Sequence, residues 1–415
     1  MKAEGRMAKD EWKTVALGDV AEFVRGINFK PDDVVPTGTP GTVACMRTKN
    51  VQAELDMSDV WSVGEQFVRR EDQFLQTGDV LVSSANSWNL VGKCCWIPEL
   101  PGRASFGGFV SVLRPHRAKV EPRFLFRWFS SDRIQTTLRS FGQQTTNISN
   151  LNTDRCLKLP LPLPPLAEQR RIAEVLDRAE ALRAKRRAAL AQLASLTQSL
   201  FLDLFGDPAT NPKGWPKKSL GEVAREKPNN GIFRKNPEYI QDGKGGLPVV
   251  WLEEIFRGDS IDTKESRRVI PDGADVEKYG LKTGDILFCR SSLKLDGIAF
   301  NNVYLGNDDE ALFECHVIRI SPDLKIISPV FLNSLLRLPQ MRAIAKSKSK
   351  TATMTTIDQQ SLCSIELPLP PVKIQHEFAG RIRAVEKLKV AHRASLAELD
   401  ALFATLQNRA FKGEL

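Results

Sequence analysis

Apolar residues recur at helical spacing in two long stretches of the chain. The spacing is three or four positions from residue 172 to 204 and again from 382 to 410. Such a period, sustained over several heptads, predicts two long helices that each carry an apolar seam. Neither helix can bury its seam alone, so we expect the two to pack on each other. The residues expected in this packing are Val175, Leu182, Arg186, Leu193, Leu200, Val385, Leu388, His392, Leu399 and Leu406.

A proline-rich run precedes each helical pattern. Residues 161–165 read L-P-L-P-P, and the same pentapeptide returns 206 positions later at 367–371. Proline cannot sit inside a helix, but it suits the first turn, where its missing N–H would have no partner. Each run therefore predicts an extended lead-in that starts a helix at a fixed point.

The rest of the chain is also duplicated. Residues 75–81 (LQTGDVL) return as 281–287 (LKTGDIL), and Phe124-Leu125 returns as Phe331-Leu332. Repeats in the same order with nearly constant offsets indicate two copies of one unit. Strand patterns dominate between the helices, so we predict two α+β globules. The expected segments are a globule at 1–158, a helix at 159–206, a globule at 207–364 and a helix at 365–415.

Composition narrows the class of protein. The chain has 415 residues, 42% hydrophobic and 26% charged, which is room for two ordinary cores. No uninterrupted apolar run approaches the ~18 residues of a membrane span, and the charged start is unlike a signal peptide. Seven cysteines without C-x-x-C spacing are typical of reduced thiols. We predict a cytoplasmic protein without a membrane partner, and the net charge of +9 favours a polyanionic partner.

The motifs of common catalysts are missing. The sequence has no G-x-x-x-x-G-K-[ST] loop, no G-x-G-x-x-G turn and no Asn-Pro-Pro-aromatic box. None of the four histidines has metal-ligand spacing with cysteine or acid. Residues 11–13 (E-W-K) have nuclease-like spacing, but such a tripeptide is common by chance. We therefore expect no catalytic residue, no metal site and no cofactor in this chain.

Polar and basic loops occupy equivalent places in the two globules. Reading a DNA sequence requires donors and acceptors on base edges, and basic side chains on phosphates to hold the register. For each residue taken singly, a solvated surface role is an equal alternative. The candidates are Lys30, Arg47, Lys49, Asn50, Ser84, Asn86, Gln143 and Gln144 in the first globule, and Arg234, Lys235, Arg290, Ser291, Lys294, Lys346, Lys348 and Lys350 in the second.

Over essentially its whole length the chain resembles the specificity subunit of type I restriction–modification systems. The L-P-L-P-P-helix motif in two copies, with divergent globules between, is highly specific for that family. The segments that carry the resemblance are 17–20, 78–81, 142–148, 161–169 and 171–173, then 284–287, 367–375 and 410–415. One departure is K-I-Q at 373–375, where the first copy has A-E-Q at 167–169.

The resemblance implies two target-recognition domains that each read half of a split, asymmetric DNA site. It also implies that the helices lie antiparallel as a spacer, with pseudo-twofold symmetry. The subunit itself would be non-catalytic. Its implied partners are double-stranded DNA, two methyltransferase subunits that use S-adenosylmethionine to modify adenines, and restriction subunits that use ATP and Mg²⁺ to translocate and cleave DNA.

Two other classes stay open at the level of sequence. The chain could be a stand-alone nuclease or methyltransferase, or a coiled-coil scaffold whose globules bind no DNA. One distance tests whether the two long helices pack on each other in antiparallel orientation. If the helices pack antiparallel about their middles, Arg186 and His392, the polar breaks at matching places in the seams, should approach each other.

Overall fold

The computed structural model describes residues 12–144, 148–240, 245–351 and 354–415. The chain forms two compact units, one made of Met1–Lys185 with Leu396–Leu415 and the other of Arg186–Ser395. Each unit therefore contains one globule and a part of both long helices. We call them unit 1 and unit 2.

The elements of the chain follow in order. Up to the first long helix they are β1 (Lys13–Ala16), β2 (Ala21–Arg25), β3 (Val34–Val35), β4 (Thr42–Met46), β5 (Trp61–Gly64), β6 (Val80–Ser83), β7 (Ala85–Asn86), β8 (Cys94–Trp96), β9 (Ala104–Phe106), β10 (Val110–Pro115), α1 (Pro122–Phe129), α2 (Asp132–Ser140), β11 (Gly142–Gln144), β12 (Ser149–Leu151), α3 (Thr153–Leu157), β13 (Pro160–Leu163) and α4 (Leu166–Phe205). After it come β14 (Lys217–Ser219), β15 (Asn229–Asn230), β16 (Leu247–Val250), α5 (Leu252–Phe256), β17 (Arg268–Val269), α6 (Gly273–Tyr279), β18 (Ile286–Cys289), β19 (Ser291–Ser292), β20 (Asn301–Val303), β21 (Leu312–Phe313), β22 (Val317–Ile320), α7 (Pro329–Arg337), α8 (Pro339–Ser347), β23 (Lys350–Thr351), β24 (Thr355–Thr356), α9 (Gln359–Cys363), β25 (Glu366–Pro368) and α10 (Val372–Phe411).

The sheets of the two units follow one plan. In unit 1 a four-stranded antiparallel sheet has the order β2-β10-β6-β8, and in unit 2 its counterpart is β15-β22-β18-β20. A second sheet, with one parallel pair, has the order β3-β5-β4-β9 in unit 1 and β17-β16-β21 in unit 2. A small three-stranded sheet is β11-β12-β7 in unit 1 and β19-β24-β23 in unit 2. The predicted α+β duplication is confirmed.

The repeated Thr-Gly-Asp turns have a structural cause. Gly78 and Gly284 take φ values of +95° and +98°, a region that glycine enters without steric cost. The Asp79 carboxylate accepts hydrogen bonds from the Gln76 N–H (2.8 Å) and from Arg114 Nη2 (2.7 Å). Asp285 likewise accepts from the Lys282 N–H at 2.9 Å. The motif returns because both units build the same turn.

Each proline run does what its composition predicts. The first forms β13, whose residue Leu163 pairs with Lys13 of β1, and the second forms β25, which pairs with β14. The helices α4 and α10 begin one residue after the last proline and are 40 residues long, roughly 60 Å.

A buried glutamine links each helix start to its globule. Gln169 Oε1 accepts from the Glu121 N–H at 2.8 Å, and its Nε2 donates to the Pro164 carbonyl at 2.7 Å. Gln375 makes the same bonds with the Ser328 N–H and the Pro370 carbonyl, both at 2.8 Å. The two matched glutamines therefore hold the proline run against the residue that precedes α1 in unit 1 and α7 in unit 2.

In each unit the helix segments lie antiparallel. In unit 1, Arg171 near the start of α4 donates to the Leu415 carbonyl (3.0 Å), and Arg183 Nε donates to Asp400 Oδ1 (2.6 Å). In unit 2, Phe201 near the end of α4 packs on Phe378 near the start of α10, with ring centroids 5.5 Å apart. The expected packing of the helices on each other is confirmed.

The predicted seam is wrong at two positions. Leu182 is 51% exposed and Leu388 is 52% exposed. The buried face of α4 ends near Ala179, so Leu182 lies beyond the core of unit 1. At the matching place in α10, Lys389 is turned inward to Asp259 and Leu388 faces solvent.

The other seam positions are at least partly covered. Val385 is buried, and the half-buried ones are Val175, Arg186, Leu193, Leu200, His392, Leu399 and Leu406.

By length and composition alone, α4 could cross a membrane, because an 18-residue window in it reaches a mean hydropathy of 1.3. The sequence prediction missed this window because polar residues interrupt it. In unit 2, α10 packs beside the second half of α4 and carries Arg383, Glu386 and Lys387. A bilayer would have to accept these charges at about 2.5–3.5 kcal/mol each. The absence of a membrane partner stays a prediction.

Candidate nucleic-acid interface

The small sheet of unit 1 joins residues that lie far apart in sequence. On it, Asn86 of β7 pairs with Ser149 of β12, and Gln144 of β11 pairs with Ser149 from the other side. Gln143 pairs with Asn150 in the same register. Three of the predicted DNA-reading positions are thus brought to one sheet. We call this small sheet and the 83–90 loop surface 1.

Local hydrogen bonds shape the 83–90 loop. The half-buried Asn86 donates from Nδ2 to Ser83 Oγ (3.0 Å) and accepts at Oδ1 from the Ser87 N–H (2.8 Å). The half-buried Ser84 donates its backbone N–H to the Phe109 carbonyl at 3.1 Å. The amide of Asn86 retains one donor and one acceptor site beyond these bonds, which is what an adenine edge requires.

Unit 2 repeats the arrangement with other side chains. Ser291 of β19 and Lys350 of β23 both pair with Thr356 of β24. Lys350 is exposed, and its Nζ lies 3.7 Å from Asp358. Arg290 and Lys294, on either side of β19, are also exposed. We call this small sheet and the 290–295 loop surface 2.

The prediction that Ser291 contacts DNA through its side chain is wrong for this conformation. Ser291 is buried, because alternate residues of a strand face opposite sides of a sheet and its side chain takes the inner one. Its Oγ has no hydrogen-bond partner within the described residues.

The remaining predicted cations of unit 2 differ in how far hydrogen bonds and ion pairs engage their charged groups. Lys235 is exposed, whereas the half-buried Lys346 binds Asp296 Oδ1 at 2.5 Å. Lys348 Nζ donates to Ser364 Oγ at 2.9 Å. Arg234 forms an ion pair with the Asp275 carboxylate. Of these four, Lys235 is the one whose charge the protein leaves most open to a phosphate.

Asn50 has a structural role, so its prediction as a DNA contact is wrong. The side chain is 1% exposed. Its Oδ1 accepts from the Arg47 N–H (2.7 Å), and its Nδ2 donates to the carbonyls of Asp56 (2.7 Å) and Asp59 (3.0 Å). Glu254 takes the same place in unit 2, where its Oε2 accepts from the Trp251 N–H at 2.8 Å. A residue three positions into a helical turn commonly caps it this way.

Arg47 and Lys49 are held by Asp59. Arg47 Nη2 lies 3.0 Å from Asp59 Oδ1, and Lys49 Nζ lies 2.5 Å from Asp59 Oδ2. Lys30, on the neighbouring loop, is exposed. In unit 1 the most open predicted cation is therefore Lys30, and the charges of Arg47 and Lys49 are partly offset.

An arginine–tryptophan contact occurs in both units with the partners exchanged. Arg47 lies over the Trp61 ring at 3.8 Å in unit 1, and Arg267 lies over the Trp251 ring at 4.6 Å in unit 2. Arg47 and Trp251 each follow the equivalent strands β4 and β16. The contact stabilises the second sheet in both units. Arginine follows β4 and tryptophan follows β16, so the two residue types have changed places between the units.

Exposed apolar side chains stand beside the candidate residues and were not predicted from the sequence. Trp88 of surface 1 is 55% exposed and Leu293 of surface 2 is 82% exposed. Phe109 and Phe233 are also exposed. Such groups can contact a thymine methyl group or wedge between base steps. The signal in the sequence was a bulky residue inside an otherwise polar loop.

His316 was not predicted as a metal ligand from the sequence. Its Nδ1 lies close to side-chain atoms of Glu314 and Cys315, with which it forms a group that could hold a metal ion. Burial, and then the hydrogen bond with Glu314, raise the pKa of the Cys315 thiol to about 11.

Four of the other thiols are buried and pack in the cores. Burial raises the pKa of Cys45, Cys95 and Cys156 to about 12 and that of Cys289 to about 11. A nucleophilic cysteine needs a thiolate near neutral pH, so these four have no such role. Of the E-x-K tripeptide, Glu11 lies outside the described residues.

The chain is similar to known proteins over nearly its whole length. The sequence profile of the type I restriction modification DNA specificity domain matches residues 9–192. The chain is 25% identical to the StySPI specificity subunit of Salmonella potsdam and 23% identical to the EcoKI specificity subunit of Escherichia coli K12, with 97% of the chain and 89% of each relative covered.

Two solved structures share the fold. The S subunit of a type I restriction–modification system from M. genitalium matches with a TM-score of 0.58 at 14% identity, covering 99% of this chain and 98% of that one. A chain from a structure of type I restriction–modification complex assembly matches with a TM-score of 0.53 at 20% identity, covering 97% and 98%.

Proposed function

We propose that the chain is a DNA specificity subunit of the type I restriction–modification family, and that surfaces 1 and 2 each read one half of a bipartite, asymmetric DNA site. The observation that carries this proposal is the pair of small sheets, which have the same topology and different side chains. The same backbone frame would dock on DNA in the same way twice, and the different loop residues would select different bases.

The chemistry of the two surfaces differs in kind. Surface 1 offers the amide of Asn86, which suits the donor and acceptor pair on an adenine edge, and the backbone of Gln143 and Gln144 pairs on the same small sheet. Surface 2 offers Arg290, Lys294 and Lys350, which suit guanine acceptors and phosphates. The net charge of +9 adds long-range attraction to DNA.

The chain's own role is recognition, without catalysis. We propose that two methyltransferase subunits carrying S-adenosylmethionine, and restriction subunits using ATP and Mg²⁺, assemble on it in the cytoplasm. Leu182 and Leu388 are exposed at matching places on the two helices, which leaves both side chains open to contact with these subunits.

Mapping of modified adenines across a host genome tests the proposal. The intact system should yield one two-part motif with a constant gap, and deletion of this chain should abolish it. Asn86→Ala should relax only one half of the motif and Lys294→Ala only the other. A motif that both substitutions leave unchanged, or that survives loss of the chain, contradicts the proposal.

The two alternative classes have their own outcomes. Purified chain that cuts or methylates DNA without other subunits would establish an enzyme. Absence of salt-sensitive DNA binding in the complete complex would establish a scaffold, because phosphate contacts always make affinity fall with salt.

A further inference from the structure

Three consecutive side chains converge at the loop between β21 and β22 in unit 2. Cys315 Sγ lies 3.1 Å from Glu314 Oε1 and 3.6 Å from His316 Nδ1. The Glu314 Oε1 and His316 Nδ1 atoms are 2.5 Å apart. One sulfur, one nitrogen and one oxygen donor thus face a common point.

These separations are close to those of a metal ligand set. With metal–sulfur distances of about 2.3 Å and metal–nitrogen or metal–oxygen distances of about 2.0–2.1 Å, a tetrahedral zinc ion places sulfur roughly 3.6 Å from nitrogen or oxygen, and nitrogen roughly 3.3 Å from oxygen. The sulfur–nitrogen distance already meets this value. The Glu314 carboxylate oxygen must move away from the sulfur and the nitrogen by less than about 1 Å. A rotation of the Glu314 side chain allows this shift.

The surroundings of Glu314 favour a cation. The residue is buried, and its carboxylate accepts a hydrogen bond from the His316 backbone N–H at 2.8 Å. A buried carboxylate also favours a positive partner. Among the described residues, His316 is the one basic group within salt-bridge distance of it. The nearby Tyr239 hydroxyl is also buried and lacks a hydrogen-bond partner in the described part of the chain.

The ligand types select the metal. Thiolate and imidazole donors suit Zn²⁺ or Co²⁺, whereas Mg²⁺ and Ca²⁺ prefer oxygen. His316 is exposed and Cys315 is half-buried, so an ion can reach the site from solvent. We propose that Glu314, Cys315 and His316 bind one zinc-type divalent ion. On binding, the metal–sulfur bond replaces the S–H bond and that proton passes to solvent. His316, whose Nδ1–H faces the Glu314 carboxylate in the free chain, binds through the Nδ1 lone pair as the neutral tautomer that carries its proton on Nε2.

Unit 1 lacks this group at the matching place. Gly107 bridges to Ile27 as Glu314 bridges to Ile232, so Gly107, Gly108 and Phe109 stand where unit 2 has Glu314 to His316. The site therefore belongs to unit 2 alone.

The same loop supports surface 2. The Arg290 N–H donates to the His316 carbonyl at 2.9 Å, immediately before β19. An ion held by Cys315 and His316 would fix the backbone that positions Arg290. This link to DNA reading rests on the proposed function, whereas the metal site does not.

Cobalt titration of the full-length chain, freed of metal with a chelator, tests the site. We expect one Co²⁺ per chain, with a thiolate-to-cobalt charge-transfer band that Zn²⁺ displaces. Cys315→Ser should remove the band, and His316→Ala should weaken binding about 100-fold or more, since even residues that only support metal ligands contribute 10–100-fold. The matched control is Cys363→Ser, a half-buried thiol away from the site.

The outcomes separate the site from the proposed function. Absence of the band in the wild-type chain, or its persistence in the folded Cys315→Ser variant, overturns the site. If the band forms as expected and the complex still shows no DNA recognition, the site stands and the proposed function fails. If DNA recognition is normal and no ion binds, the proposed function stands and the metal site is overturned.

Discussion

Arg186 Nη1 donates a hydrogen bond to His392 Nδ1 over 3.0 Å, and the two residues hold matching positions, 206 apart, in the two long helices. The approach that antiparallel packing predicts for them is therefore confirmed. Equivalent residues of two antiparallel helices meet only at the middle of the pair. A polar contact in an apolar seam favours one register over its neighbours, since a slip would leave both groups without a partner.

A double-mutant cycle measures this contact. Arg186→Ala and His392→Ala should each lower the free energy of unfolding, with a coupling of about 1 kcal/mol between them, read from urea unfolding of unit 2. The exposed pair Arg178 and Glu174, 3.7 Å apart on α4, is the control and should couple by less than about 0.5 kcal/mol. Equal coupling in both pairs would show that the seam contact has no special role.

Shortening both helices should change the gap of the DNA site. Removal of one heptad at matching positions of α4 and α10 takes roughly 10 Å from each helix, which corresponds to about three base pairs. Methylome sequencing should show a shorter gap between unchanged half-sites. Altered half-sites with an unchanged gap would contradict the spacer role.

The buried glutamines should be important for stability. Gln169→Leu leaves the Glu121 N–H without its acceptor, and an unpaired buried donor costs about 1–3 kcal/mol. Thermal and urea unfolding should show this loss, and Gln375→Leu should show a similar one in unit 2. Gln192→Leu, at an exposed position of α4, should change stability by less than about 0.5 kcal/mol; a loss as large as that of Gln169→Leu would contradict the anchor role.

The exposed lysines should determine the salt dependence of DNA binding. Lys30→Ala and Lys235→Ala should each reduce the slope of log affinity against log salt by about one, as expected for one phosphate contact each. Binding is measured with the complete complex over a range of salt concentrations. Lys387→Ala, a matched change on α10, should leave the slope unaltered. An unchanged slope in the two loop variants would place the DNA elsewhere.

Acid should weaken the cap of α9. The backbone hydrogen bond from Ser361, and then the side-chain hydrogen bond, hold the pKa of Asp358 below its usual range. A lowered carboxyl pKa contributes stability above the unfolded value, about 3.9, and this contribution is lost as the pH falls through the folded value. Asp358→Asn keeps an acceptor for the Ser361 N–H and does not titrate. Urea unfolding at pH 5 and pH 3 should show a smaller acid loss in the variant than in the wild type, and equal losses would contradict the assignment.

Some of the candidate site was accessible from sequence and some was not. The polar character of the loops around Asn86 and Lys350 is visible in the sequence. The burial of Asn50 and Ser291 is not visible there. A polar residue that caps a turn or faces inward occurs in the same kind of polar segment as one that contacts a base. The exposure of Leu182 is decided by where the core of unit 1 stops covering α4, and that of Leu388 by Lys389, which turns inward to Asp259 beside it.

The sequence alone determined the duplication, the helix starts after residues 161–165 and 367–371, and the absence of common catalytic motifs. These follow from local rules, since proline geometry and apolar period act within a few residues of the chain. The tertiary structure decided which distant segments meet, such as β7 with β12, and which side chains turn inward. Strand pairing and burial depend on partners many residues away, so no local pattern records them.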